Sequence, residues 1–215
     1  MNELQTGIIN LVKSALTGEK ENLPAGFDWN AALKTAKKHQ IMPMIYYGVQ
    51  NSGITVQAEV MQALELSTFE NVFVSQNQLY ALDVIYKAFD ENNIDYMPLK
   101  GSVLKYIYPK PELRPMGDAD ILIKEEQTDK INSVMNTLGY VKDESHNGDY
   151  DTVWDKKGTL HLELHWNIVS PINKSYYKYF GSGWLFAERC NDESLKYERS
   201  PEDNIVYLFT HFSNH

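Results

Sequence analysis

The stretch Met116 to Ile123, MGDADILI, decides how the rest of the chain is read. Ile121, Leu122 and Ile123 form a short apolar run of the kind that fills a buried strand. Side chains two apart on a strand share a face. Asp118 and Asp120 therefore stand side by side at the end of a core strand. At about 6 Å and an effective dielectric of about 20, two such carboxylates repel by roughly 3 kcal/mol. As solvated acids ahead of a strand they would be ordinary. The apolar run fixes the strand register, however, and the register fixes both acids on one face. Convergent carboxylates on a rigid strand suit Mg²⁺, which prefers hard oxygen ligands.

Upstream, Ile94 to Leu99 reads as a short strand, and Pro98 makes it an edge or a strand end. Lys100-Gly101-Ser102 follows, then a short helix from Val103 that stops at Pro109. Gly and Ser are common helix-start residues, so the turn has an ordinary reading. Its chemical reading is a phosphate cradle. Backbone N–H groups at a helix start favour anions, Gly101 allows close approach, Ser102 adds a hydroxyl and Lys100 adds charge. A loop with Pro109, Pro111 and Pro115 carries Arg114 to the Asp pair.

Downstream, a helix of roughly Glu125 to Leu138 ends at Gly139. Tyr150 to Trp154 and Thr159 to Trp166 read as a hairpin around Asp155 to Gly158. Leu160, Leu162 and Leu164 alternate with His161, Glu163 and His165, which puts a Leu face on the core and a His-Glu-His face opposite. On a sheet edge that polar face would simply be solvated. If this strand pairs beside 118–123, Glu163 joins the two aspartates. The order β-α-β-α-β-β describes an α+β protein: a small mixed sheet with helices on one face.

The flanks read as helical, giving three regions: 1–93, 94–170 and 171–215. Asp28 is a candidate N-cap for the helix from Trp29, Pro43 restarts a helix, and a long segment runs from Val56 to about Asn92. A bend is expected at that length. Ser200-Pro201-Glu202-Asp203 is a helix start. The stripe Ile205, Leu208, Phe209 and Phe212 that follows leads us to expect that the natural chain continues past His215. His211 and His215, four apart, read as packing or capping residues, because two ligands rarely make a metal site.

Composition bounds the function. The chain has 215 residues, 43% hydrophobic and 23% charged, as in a globular protein. A formal net charge of −9 argues against a broad nucleic-acid surface. It leaves room for a nucleotide, since bound Mg²⁺ offsets local negative charge. The single cysteine, Cys190, excludes an internal disulfide and a multi-Cys zinc site, which fits the cytoplasm. The N-terminus reads as an amphipathic packing helix, not a signal peptide. No apolar run approaches the ~18 residues of a membrane span.

Taken together, strand, Gly-Ser turn, helix, Asp-x-Asp and a later Glu resemble the nucleotidyltransferase superfamily of the DNA polymerase β type. More narrowly, "LKGSVLKYIYPKPELRPMGDADILI" followed by "GY" and "LELHW" is similar to an uncharacterised nucleotidyltransferase family. The resemblance implies a catalytic and metal-binding set of Asp118, Asp120 and Glu163 with Mg²⁺ or Mn²⁺. It implies nucleotide contacts from Lys100, Gly101, Ser102 and Arg114, and pocket residues His161, His165 and Trp166. The reaction would move an NMP from an NTP, ATP foremost, to a hydroxyl of a small-molecule or protein acceptor, releasing pyrophosphate. Two rival readings stand beside it. His161, Glu163 and His165 on one strand face form a zinc-type ligand set for a metallohydrolase. A non-catalytic nucleotide-binding or antitoxin-like module is the other, because fold does not imply function.

Overall fold

The computed structural model describes residues 1–213, so His215, expected to be a packing or capping residue like His211, lies outside the described residues. The chain forms two compact units, Met1–Gln76 with Leu104–Pro115, and Asn77–Val103 with the chain from Met116 onward.

The first unit is helical, with α1 Glu3–Thr17, α2 Trp29–Lys38, α3 Met42–Ser52 and the first half of α4 Ala58–Glu91. Asp28 accepts the Ala31 N–H at 3.0 Å and caps α2 as expected. Pro43 sits in the first turn of α3, where its missing N–H removes no helical bond. Leu11, Ala32, Ile45, Val49 and Leu64 form the core. Two charged groups are buried in this unit. The Tyr47 hydroxyl donates to Glu112 at 2.6 Å, and the Lys105 ammonium donates to the Arg114 carbonyl at 2.9 Å. Burial, with the Arg114 charge beside it, lowers the Lys105 pKa to about 8, against a smaller opposing pull from Glu112.

The second unit is built on a five-stranded mixed sheet. Its strands are β1 Tyr96–Pro98, β2 Asp118–Ile123, β3 Val141–Lys142, β4 Asp151–Asp155 and β5 His161–His165, in the order β1-β2-β5-β4-β3. The fold class is the α+β expected. β1, with its proline, lies at an edge. β5 does not: it pairs parallel to β2 and antiparallel to β4. One face carries Ala119, Ile121, Leu162 and Leu164 against Leu82, Ile85 and Phe89 of α4. Ile131 and Met135 of the helix Thr128–Thr137 join the same core. That helix ends in a left-handed Gly139 with φ 80°.

Two expectations change. The second sheet face is not free of helices. Met97, Leu99 and Leu122 pack there with Ile168, Val169, Phe180 and Tyr207, supplied by the C-terminal segment. The anchoring residue of the last helix, Pro201–Ser213, is Tyr207, while Ile205, Phe209 and Phe212 are exposed. Tyr207 packs edge-on to Phe180 and lies under the Arg199 guanidinium, so the aromatic ring, not the aliphatic stripe, finds the core. The sequence reading also lacks β3 and the small hairpin Glu188–Arg189 with Tyr197–Glu198, which are only two residues per strand.

Candidate active site

The site is an output of strand register. β2 and β5 align Asp118 with His161 and Asp120 with Glu163. Ala119, Ile121, Leu162 and Leu164 face the α4-packed core, and the acids lie on the opposite face together with Leu122. Asp120 is buried, with 2% of its surface exposed, and Glu163 is half-buried. Asp118 shares the face and is also half-buried.

Lys100 is delivered by backbone geometry. The Leu99 N–H donates to the Asp120 carbonyl at 2.9 Å, which ties the end of β1 to β2. The chain then turns through a left-handed Lys100, φ 43°. A non-glycine residue there costs of order 1 kcal/mol and points to a functional constraint. The Lys100 ammonium donates to Asp120 Oδ1 at 2.5 Å. Gly101 has a different reason to be glycine: a Cβ would come within 3.0 Å of the Met116 side chain. The expected helix begins at Lys100 and ends at Leu104. One helical turn carries little macrodipole, so positive charge at this turn comes from Lys100. The Ser102 hydroxyl is buried and has no hydrogen-bond partner among the described residues.

His165 links the acids. Its Nε2 lies 2.9 Å from Asp120 Oδ1 and 3.4 Å from Glu163 Oε2. Ionised carboxylates only accept, so Nε2 carries the proton in this arrangement. Burial alone would lower the His165 pKa, but the bonds to Asp120 and Glu163 outweigh it and raise it. For Asp120, burial pushes the carboxyl up, yet His165 and the Lys100 charge hold it below the usual range. The His165 hydrogen bond likewise holds Glu163 low, against its burial and the Asp120 charge. On the other side of the ring, Nδ1 faces Asp151 Oδ2 at 4.0 Å, and Asp151 Oδ1 pairs with His146 Nε2 at 2.9 Å.

Asp120, Glu163 and His165 each offer a ligand atom, and the three atoms lie within 4.8 Å of one another. Two carboxylates and an imidazole fit a divalent ion. Asp151 lies on the far-nitrogen side of His165, at 4.0 Å, beyond hydrogen-bond distance. Asp118 is not among the three. His161 is not either; its Nδ1 pairs with Asp155 at 2.7 Å, so the His-Glu-His set is not gathered. Arg114 belongs to the first unit, where its guanidinium donates to the Pro115 carbonyl. Trp166 is half-buried and its backbone N–H donates to the Tyr150 carbonyl.

A family model described as an uncharacterised nucleotidyltransferase matches residues 25–215. The chain belongs to this nucleotidyltransferase family. No curated protein matches it. Membership supports a nucleotidyltransferase activity and implies a nucleoside triphosphate substrate. Nucleotidyltransferases generally use divalent metals, and the Asp-Glu-His group could bind one. Among the described residues no helix is long and apolar enough to cross a membrane.

Asp151 and His146 are absent from the sequence reading. Asp151 stands opposite His165 in the β4–β5 ladder, and counting back along the hairpin from its turn reaches it. His146 sits in a loop and gave no periodic signal.

Proposed function

We propose that this protein transfers a nucleoside monophosphate from an NTP, ATP foremost, to a hydroxyl of a small-molecule or protein acceptor, releasing pyrophosphate. The observation that carries this reading is the register that sets Asp120 beside Glu163, with Lys100 on Asp120. Rigid strands hold the carboxylates, as in-line phosphoryl chemistry requires of positioning groups.

The acceptor oxygen attacks the α-phosphorus, the bond to the β-bridging oxygen breaks, and the electron pair leaves with pyrophosphate. Glu163, ionised and half-buried, takes the hydroxyl proton. Asp120, Glu163 and His165 would hold a divalent ion, with Asp118 reaching the same ion or a second one through the phosphates; Mg²⁺ and Mn²⁺ are the proposed ions. Such an ion supplies charge neutralisation on the triphosphate and on the leaving group. Lys100, Gly101 and the partnerless Ser102 hydroxyl would receive the β- and γ-phosphates. Arg114 is retained as a proposed phosphate contact. His161 and Trp166 are proposed to line the pocket, and the cytoplasm is the proposed compartment.

The test is direct. The protein is incubated with each labelled NTP, Mg²⁺ and a lysate of its source cells, and label transfer is followed. The expected result is transfer that disappears in the double variant Asp118→Ala, Asp120→Ala. Absence of transfer from every NTP, with no nucleotide binding by calorimetry, overturns the reading.

A further inference from the structure

The Asp120 carboxylate is claimed twice over. Its Oδ1 receives the Lys100 ammonium at 2.5 Å and His165 Nε2 at 2.9 Å. Its side chain is only 3% exposed and that of Lys100 18%. Asp120 is also the most buried carboxylate of the three-residue group that fits a metal. We propose that Lys100 is a cation placeholder: it occupies the metal's position on Asp120, so that an incoming metal must displace it, and a nucleotide eases that displacement by offering its phosphates as an alternative partner.

Oxygen ligands approach Mg²⁺ at about 2.1 Å. An ion bound to Asp120 would therefore sit within a few ångströms of an ammonium that is 2.5 Å from the same oxygen. Two cations cannot share that space in a water-poor site, where like charges repel strongly. The lysine side chain can leave. It has a flexible four-carbon stem, and the next residue is Gly101, which carries no side chain to block the swing. Without phosphates to receive it, the ammonium leaves a buried partner for nothing better than water. Metal alone thus binds weakly, and metal with nucleotide binds cooperatively.

The nucleotide half of this inference rests on the transferase reading above; the metal half does not. Binding of Mn²⁺ alone is measured by electron paramagnetic resonance on the full chain. Lys100→Met keeps the length and removes the charge. It is expected to bind Mn²⁺ about tenfold more tightly than wild type, and Mn²⁺–ATP about tenfold more weakly, each equal to about 1.4 kcal/mol. Lys100→Arg, which keeps the cation, is expected to bind Mn²⁺ as weakly as wild type. Unchanged or weaker Mn²⁺ binding in Lys100→Met overturns the proposal. The unaltered protein gives a second measurement that needs no variant. Acetylation of the Lys100 amine, read by mass spectrometry, should rise with Mn²⁺ alone and fall again when ATP is added. Labelling indifferent to Mn²⁺ overturns the proposal. A response to Mn²⁺ with none to any nucleotide leaves the placeholder standing and sinks the transferase reading.

Discussion

Lys100 and Lys105 are five residues apart, and each compact unit withdraws one of them from water. Their partners differ. Lys105 gives its ammonium to a neutral carbonyl, while the nearby Glu112 is committed to Tyr47. Its charge is poorly compensated, and its pKa falls to about 8. Lys100 gives its ammonium to a buried carboxylate that also receives His165. The difference teaches what buried charge is for. A lysine against a carbonyl props up a fold and is costly to keep ionised. A lysine against a carboxylate forms a pair that a stronger cation can break.

The largest effect that tests this contrast is on Asp120. Asp120→Asn should lower nucleotidyl transfer by about a thousandfold and destabilise the metal-free protein by about 3 kcal/mol in urea, because two buried donors lose their acceptor. Asp118→Asn should lower transfer comparably yet change metal-free stability by less than about 1 kcal/mol, since Asp118 is half-buried and makes no ion pair among the described residues. An Asp120 variant more stable than wild type without metal would break the contrast at its centre.

Next comes pH. The folded Lys105 pKa is about 8 and its ordinary value 10.5. Between these values the unfolded chain holds more protons than the folded one, so stability rises with pH. Urea midpoints of wild type should therefore climb from pH 8 to 10 relative to Lys105→Met, which lacks the group. A parallel pair of curves would show that Lys105 is better compensated than its neighbours indicate.

Ligand binding should then sharpen the comparison by a few degrees. Ligand at 100-fold over its Kd stabilises by about 2.7 kcal/mol, or about 5–10 °C for a chain of this size. Mg²⁺ with ATP should raise the melting temperature by that order, and Mg²⁺ alone by less. Equal shifts from Mg²⁺ with and without ATP would show that Lys100 offers no resistance to the ion.

The smallest stability effect belongs to Ser102. Its hydroxyl has no partner to lose, so Ser102→Ala should shift stability by less than about 0.5 kcal/mol. ATP affinity should still fall by roughly three- to tenfold. Unchanged affinity would remove Ser102 from the phosphate contacts.

The meeting of Asp120 and Glu163 was legible because two alternations pinned it. The run Ile121 to Ile123 set the faces of β2, and Leu160, Leu162 and Leu164 set those of β5. Only one assumption was needed, that the two strands are neighbours. The caps at Asp28 and Gly139 were legible for the same reason: each is local chemistry. What escaped was non-local. The Lys100–Asp120 pair depends on a left-handed lysine and on the Leu99–Asp120 backbone bond, neither of which a periodicity can signal. The role of Tyr207 was hidden because Phe209 and Phe212 looked like better core residues. Helical spacing ranks apolar side chains but does not say which of them meets Phe180 and Arg199.

The parallel pairing of β2 with β5 has a kinetic consequence. Asp120 and Glu163 are register partners 43 positions apart, while β4 and β5 can zip as a local hairpin. Closing the long loop costs more chain entropy than closing the short one, and non-local contacts form later in folding. All of Asp120, Glu163 and His165 can therefore come together only after His165 has left the ribosome. The three-residue group is thus expected to assemble late, with the alignment of β5 beside β2.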